Sequence, residues 1–167
     1  DDLYERAESL QDVNRGMAER LLAAGDEVVL AVPGDGTLGE AVLDQLAQAG
    51  ARVEVVPGVP LGAAALGAAG MPAADGAQLV EAASLGGNGL DLLIELNPRW
   101  PAVVSGVFSP RIASDVKLAL QRVYPAEHPI HLVRHAGLPD VQVEHPTLAE
   151  LDRVRLDFDH LTHAVLP

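Results

Sequence analysis

Val28-Val29-Leu30-Ala31-Val32-Pro33-Gly34-Asp35-Gly36-Thr37-Leu38-Gly39-Glu40 joins an uninterrupted apolar run to a glycine-opened loop and a helix start. The run is bounded by Asp26-Glu27 and by Pro33-Gly34. It has the length of a strand buried on both faces, as parallel sheets require. Upstream, Leu3, Ala7, Leu10, Val13, Met17 and Leu21 recur at three- and four-residue spacing, which predicts a helix ending at Gly25. Downstream, Val42, Leu43 and Leu46 predict a helix over residues 40–49 stopped by Gly50. Arg52 to Val56 reads as a second buried strand, and Pro57-Gly58-Val59-Pro60 turns the chain into an Ala-rich helix over residues 61–69. Strand, helix, strand, helix predicts α/β architecture, with a parallel sheet and helical crossovers in this half.

From Met71 to Gly76 the sequence shifts to Pro, Ala, Asp and Gly, which places a hinge near Ala74. Residues 1–74 are then one α/β lobe and 75–167 a second. In the second lobe the sequence predicts strands over 78–83, 102–107, 130–136, 141–145 and 162–166. It also predicts a loop at Gly86-Gly87-Asn88-Gly89, an apolar segment from Leu90 to Leu96, a helix over 111–123 and a helical turn over 147–151. Short strands with few crossovers predict a mixed sheet. Ser109-Pro110 supplies the punctuation of a helix start.

The 167 residues make room for one ordinary domain or two small lobes. Lys plus Arg is 11 and Asp plus Glu is 24, so the formal charge is 11 − 24 = −13, which repels phosphate backbones and anionic membrane surfaces. With aromatics at 3%, the chain also lacks a stacking platform for bases, and nucleic acid is not an expected partner. The weakly polar stretch Val59 to Ala74 is broken by Pro60 and Pro72 and is too weakly hydrophobic to span a bilayer. Cysteine is absent, which removes disulfides and thiolate chemistry. Asp1-Asp2-Leu3-Tyr4-Glu5 begins without Met and is unlike a secretory signal, so the expectation is a cytoplasmic protein read as a fragment or trimmed product.

The Pro33 to Gly39 loop offers backbone N–H groups at the carboxyl end of a strand, where ligands of parallel sheets gather. It lacks the Gly-Lys-Ser/Thr of phosphate loops and the Gly-x-Gly-x-x-Gly of dinucleotide sites. Ligand contact and a plain tight turn both stay open on the loop alone.

Three segments in order carry a resemblance: Val32 to Gly39; Val53-Glu54-Val55-Val56-Pro57-Gly58-Val59; and Ala113-Ser114-Asp115-Val116-Lys117-Leu118-Ala119-Leu120 with Tyr124-Pro125. Together they resemble the tetrapyrrole (corrin/porphyrin) methylase family, and within it the methylase-like domain that precedes a MazG-type nucleoside triphosphate pyrophosphohydrolase. The resemblance implies two α/β lobes with S-adenosylmethionine in the cleft between them. It implies that Pro33, Gly34, Asp35 and Gly36 lie beside the cofactor, with Pro57 and Gly58 in a second turn. It also puts His135 and Ala136, and Leu161 and Thr162, where relatives wrap the adenine and methionine ends. Gly36 stands where the family has Pro, and Pro60 where it has Ser. The family's leading strand and glycine-rich loop would precede residue 1, so the first lobe is expected to be truncated. Family relatives pair, so a homodimer is expected.

The histidines do not predict a metal site. His128, His131 and His135 straddle Pro129 and a strand, and His131 and His135 would stand about 13 Å apart by strand rise. His145, His160 and His163 show no ligand spacing, and Ser105 and Ser114 lack a nucleophile elbow. Arg99, Arg111 and Arg134 are the candidates to accept a substrate's carboxylates. Two functions therefore compete. One is an S-adenosylmethionine-dependent methyltransferase acting on a tetrapyrrole or other small molecule. The other is a catalytically silent regulatory or scaffold module of a MazG-type fusion. Whether the chain is itself an active enzyme is left open between them.

Overall fold

The computed structural model describes residues 3, 10–25, 27–32, 34–36, 41–85 and 96–167. Pro33, the Thr37 to Gly39 end of the first loop, the glycine loop at 86–89 and the apolar segment from Leu90 lie outside the described residues, Leu96 excepted. The chain divides into two compact units, Asp1–Pro60 and Leu61–Pro167. It is an α/β fold with a mixed sheet.

In the first unit, α1 (Leu10–Ala23) and α2 (Ala41–Gln48) bring Met17, Ala18 and Leu21 against Val42, Leu43 and Leu46, with Leu30 and Ala51 at the border. The apolar spacing read from the sequence is what makes this seam. Gly50 ends α2 at φ +78, with its N–H on the Ala47 carbonyl and that of Ala51 on the Leu46 carbonyl, both 3.0 Å. These are the two bonds of a Schellman stop, which satisfies helix-end carbonyls and suits a glycine.

The two apolar runs of this unit correct an expectation. Val28 to Val32 and Arg52 to Val56 form no ladder among the described residues, so the parallel sheet predicted there is not among the elements described. Val29 is 90% and Val56 84% exposed. An apolar run is buried on both faces only when strands flank it and helices cover it, and these runs have no ladder partner among the described residues. They do converge at one end: a Cβ on Gly36 would lie 3.5 Å from Val32 Cγ2 and 3.7 Å from Val55 Cγ1.

The second unit supplies the sheet. Its strands are β1 (Gln78–Glu81), β2 (Ala102–Ser105), β3 (His131–Arg134), β4 (Gln142–Glu144) and β5 (Thr162–Leu166), in the order β1-β2-β5-β3-β4. β1 and β2 are parallel, with Glu81 opposite Ser105, and the other pairs are antiparallel. Side chains alternate across a pleated strand. Val104, Leu132, Ala164 and Leu166 therefore face one layer, formed by α5 (Pro110–Leu120) and a 3₁₀ helix (Leu148–Arg153). Val103, Val133 and Val165 face α3 (Leu61–Ala68) on the other side, through Ala65 and Leu66. With this packing α3 belongs to the same compact unit as the sheet that covers it.

Local chemistry sets the remaining elements. Ser109 caps α5, its hydroxyl accepting from the Ile112 N–H at 3.2 Å, with Pro110 in the first turn. The predicted strand over 78–83 is shorter than expected because Ala82–Leu85 turns into a short helix, α4, burying Ala82 and Leu85. Thr147 and Glu150 form a capping box at the 3₁₀ helix. Lys117, the sole lysine, reaches Asp152 on that helix at 2.6 Å. Trp100 anchors an irregular segment, its ring against Gly76. Among the described residues no helix is long and apolar enough to cross a membrane.

Candidate functional site

In the first unit the two turns named by the resemblance are joined. Asp35 is 8% exposed, and its Oδ2 accepts the Gly58 N–H at 2.9 Å. A Cβ on Gly58 would collide with the carbonyl oxygen of Gly34, so only glycine admits this approach. Gly34, Asp35, Gly36, Pro57 and Gly58 thus form one small-residue corner with a fixed carboxylate, and Pro33 lies outside the described residues. A buried carboxylate with a backbone-rich rim is a chemically suitable surface for a cationic or nucleoside ligand. The same bond also holds the turn.

In the second unit the other two segments meet as well. The His135 N–H donates to the Leu161 carbonyl at 3.1 Å, and Arg134 stands opposite Thr162 in the β3–β5 ladder. His135 has φ +57, an uncommon conformation for a residue with a side chain. Its ring spans two carboxylates, with Nδ1 2.6 Å from Asp140 Oδ2 and Nε2 2.8 Å from Asp159 Oδ2. Asp159 gathers more: Arg134 Nε at 2.7 Å, the Leu161 N–H at 2.9 Å and the Thr162 hydroxyl at 3.2 Å. The bond to Asp140, and against partial burial the bond to Asp159, push His135 above the ordinary imidazole range. Burial works to raise Asp159, yet the bonds from Arg134, the Leu161 N–H and His135 hold it below the usual carboxylate range.

The sequence pointed to His135 and Thr162 but not to Asp140 or Asp159, the carboxylates that organise them. A signal existed in Asp159-His160-Leu161-Thr162, where a carboxylate and a hydroxyl three residues apart form a local side-chain-to-backbone turn. His163, one residue on, is 1% exposed, and both ring nitrogens lack a hydrogen-bond partner. Burial lowers its pKa, with Asp159 opposing. Arg134 is committed to Asp159 and Gln142, whereas Arg99 and Arg111 are exposed. No group of three or more His, Asp or Glu able to hold a metal occurs among the described residues.

Residues 2–152 match the family described as Tetrapyrrole (Corrin/Porphyrin) Methylases. The chain belongs to that family. The tetrapyrrole methylase fold is also found in solved structures similar to it. The cobalamin biosynthetic enzyme cobalt precorrin-4 methyltransferase, CbiF, is 20% identical with TM-score 0.63, over 96% of this chain and 72% of that one. The methyltransferase CobJ is 19% identical with TM-score 0.67, over 93% and 70%. Uroporphyrin-III C-methyl transferase from Thermus thermophilus, complexed with S-adenyl homocysteine, is 21% identical with TM-score 0.56, over 94% and 72%. Among curated proteins, the uncharacterized protein YabN of Bacillus subtilis (strain 168) is 27% identical over the whole of this methylase-family chain. The chain spans 34% of that relative's length.

Proposed function

We propose that this tetrapyrrole methylase domain binds S-adenosylmethionine and transfers its methyl group to a tetrapyrrole or another small molecule. The proposed cofactor contacts are Gly34 to Gly36 and Pro57-Gly58, and also His135-Ala136 and Leu161-Thr162. The observation that carries this reading is that each pair of motif segments, distant in sequence, is bonded locally: Asp35 to Gly58 at 2.9 Å and His135 to Leu161 at 3.1 Å. When bound, the cofactor supplies an electrophilic methyl group on a sulfonium, whose displacement depends on positioning and desolvation rather than on a metal. Asp35, held in place by Gly58, presents negative charge to a cation. The His135 ring, spent on Asp140 and Asp159, fixes the turn at Ala136 rather than reaching outward. Arg99 and Arg111 are left to meet substrate carboxylates. The reading carries with it a homodimer and a cytoplasmic location.

One observation favours the second reading, a silent scaffold beside a MazG-type pyrophosphohydrolase. The polar side chains at the second-unit loops bond one another, so recognition there would rest on backbone and shape. Calorimetry with S-adenosylhomocysteine separates the two. The methyltransferase reading expects micromolar affinity, on the order of −8 kcal/mol, and its loss in Gly58→Ala. No heat of binding up to millimolar ligand would leave the scaffold.

A further inference from the structure

Strand pairing brings together two histidines that sequence spacing kept apart. His131 on β3 and His145, immediately after β4, extend the antiparallel register in which Leu132 faces Glu144. Their Nδ1 atoms lie 2.9 Å apart, with the rings edge to face at 87°. His145 is exposed and His131 partly so, so solvent reaches the pair, and β4 is the outermost strand of the sheet.

We propose that His131 and His145 form a two-imidazole site for a divalent transition cation of the Ni(II) or Cu(II) class. The spacing selects the geometry. Two nitrogens each about 2.0–2.1 Å from one cation stand roughly 2.9 Å apart when the angle at the metal is near 90°, and roughly 3.3 Å apart at the tetrahedral angle. The separation therefore suits adjacent positions of a square-planar or tetragonal ion once the rings turn their Nδ1 lone pairs from each other toward a shared point, and such geometries with nitrogen ligands belong to Cu(II) and Ni(II). Without metal the pair is a neutral hydrogen bond in which one Nδ1 carries the proton and the other accepts it. Binding requires that proton to move to Nε2 of the same ring, a change of tautomer with no net loss of charge. Among the described residues no third His, Asp or Glu joins the pair, so water completes the coordination. The bound ion would clip the outer strand to β3. This site is independent of the proposed methyl transfer.

The test is titration calorimetry of the untagged chain with nickel chloride and with copper chloride near neutral pH. It is paired with electron paramagnetic resonance of the copper form and with circular dichroism to verify folding. One equivalent should bind saturably. Affinity should fall by roughly tenfold or more in His131→Asn and in His145→Asn, because each removes half of a chelate, and should be unchanged in His160→Asn. The copper spectrum should show two nitrogen donors. Equal affinity in folded His145→Asn, or a spectrum with a single nitrogen, overturns the assignment.

Discussion

The two units put valine to opposite uses. Val103, Val104, Val133 and Val165 sit in a hydrogen-bonded sheet with helices on both faces and are fully buried. Val29 and Val56 are 90% and 84% exposed. The residue is the same in both places, and what separates them among the described residues is the ladder: a strand neighbour satisfies the backbone and lets a layer close over the side chains.

The largest effect should come from breaking the buried side of this contrast. Leu132→Ala removes a fully buried side chain facing α5 and the 3₁₀ helix and should cost about 2–5 kcal/mol in chemical denaturation. In the first unit, where the Asp35 carboxylate accepts the Gly58 N–H and so ties two turns together, Asp35→Ala should cost about 1.5–3 kcal/mol locally, read as faster amide exchange at Gly58. Gly58→Ala, forced against the Gly34 carbonyl, should cost about 1–3 kcal/mol and lower the same protection.

The histidines of the second unit add a pH axis. His135 is raised by Asp140 and Asp159, so its contribution is fully present below the ordinary value of 6.5 and falls away as pH rises through the raised value. His163 is lowered by burial, so its contribution is fully present above 6.5 and is lost as pH falls toward the lowered value. Melting temperatures between about pH 5 and 8 should lose their alkaline-side decline in His135→Asn and their acid-side decline in His163→Leu. The smallest effect should be Val29→Ala, within about 0.5 kcal/mol by denaturation, because so little of that side chain is buried.

Much of the second unit was legible because its signals are local. Ser109-Pro110 announces a helix, and Ala102 to Ser105 and Thr162 to Leu166 are runs of strand length. Less of the first unit was legible, because Val28 to Val32 reads as a buried strand whether or not a partner exists, and pairing is not a property of the run. The site divides the same way. Gly34, Asp35 and Gly58 were named from motif residues, and the structure brings them side by side. Asp140 and Asp159 were missed because a carboxylate's partners, His135 and Arg134, are chosen by the ladder rather than by spacing. The His131–His145 contact was missed for the same reason: spacing along one strand says nothing about the residue across from it.

The central claim is that the chain binds a sulfonium nucleoside, and amide chemical-shift mapping with S-adenosylhomocysteine tests it most directly. Saturable shifts should appear at the proposed contacts, Gly34 to Gly36 and Gly58, and His135 to Gly137, Leu161 and Thr162. Shifts confined to other residues, or none at millimolar ligand, would contradict it.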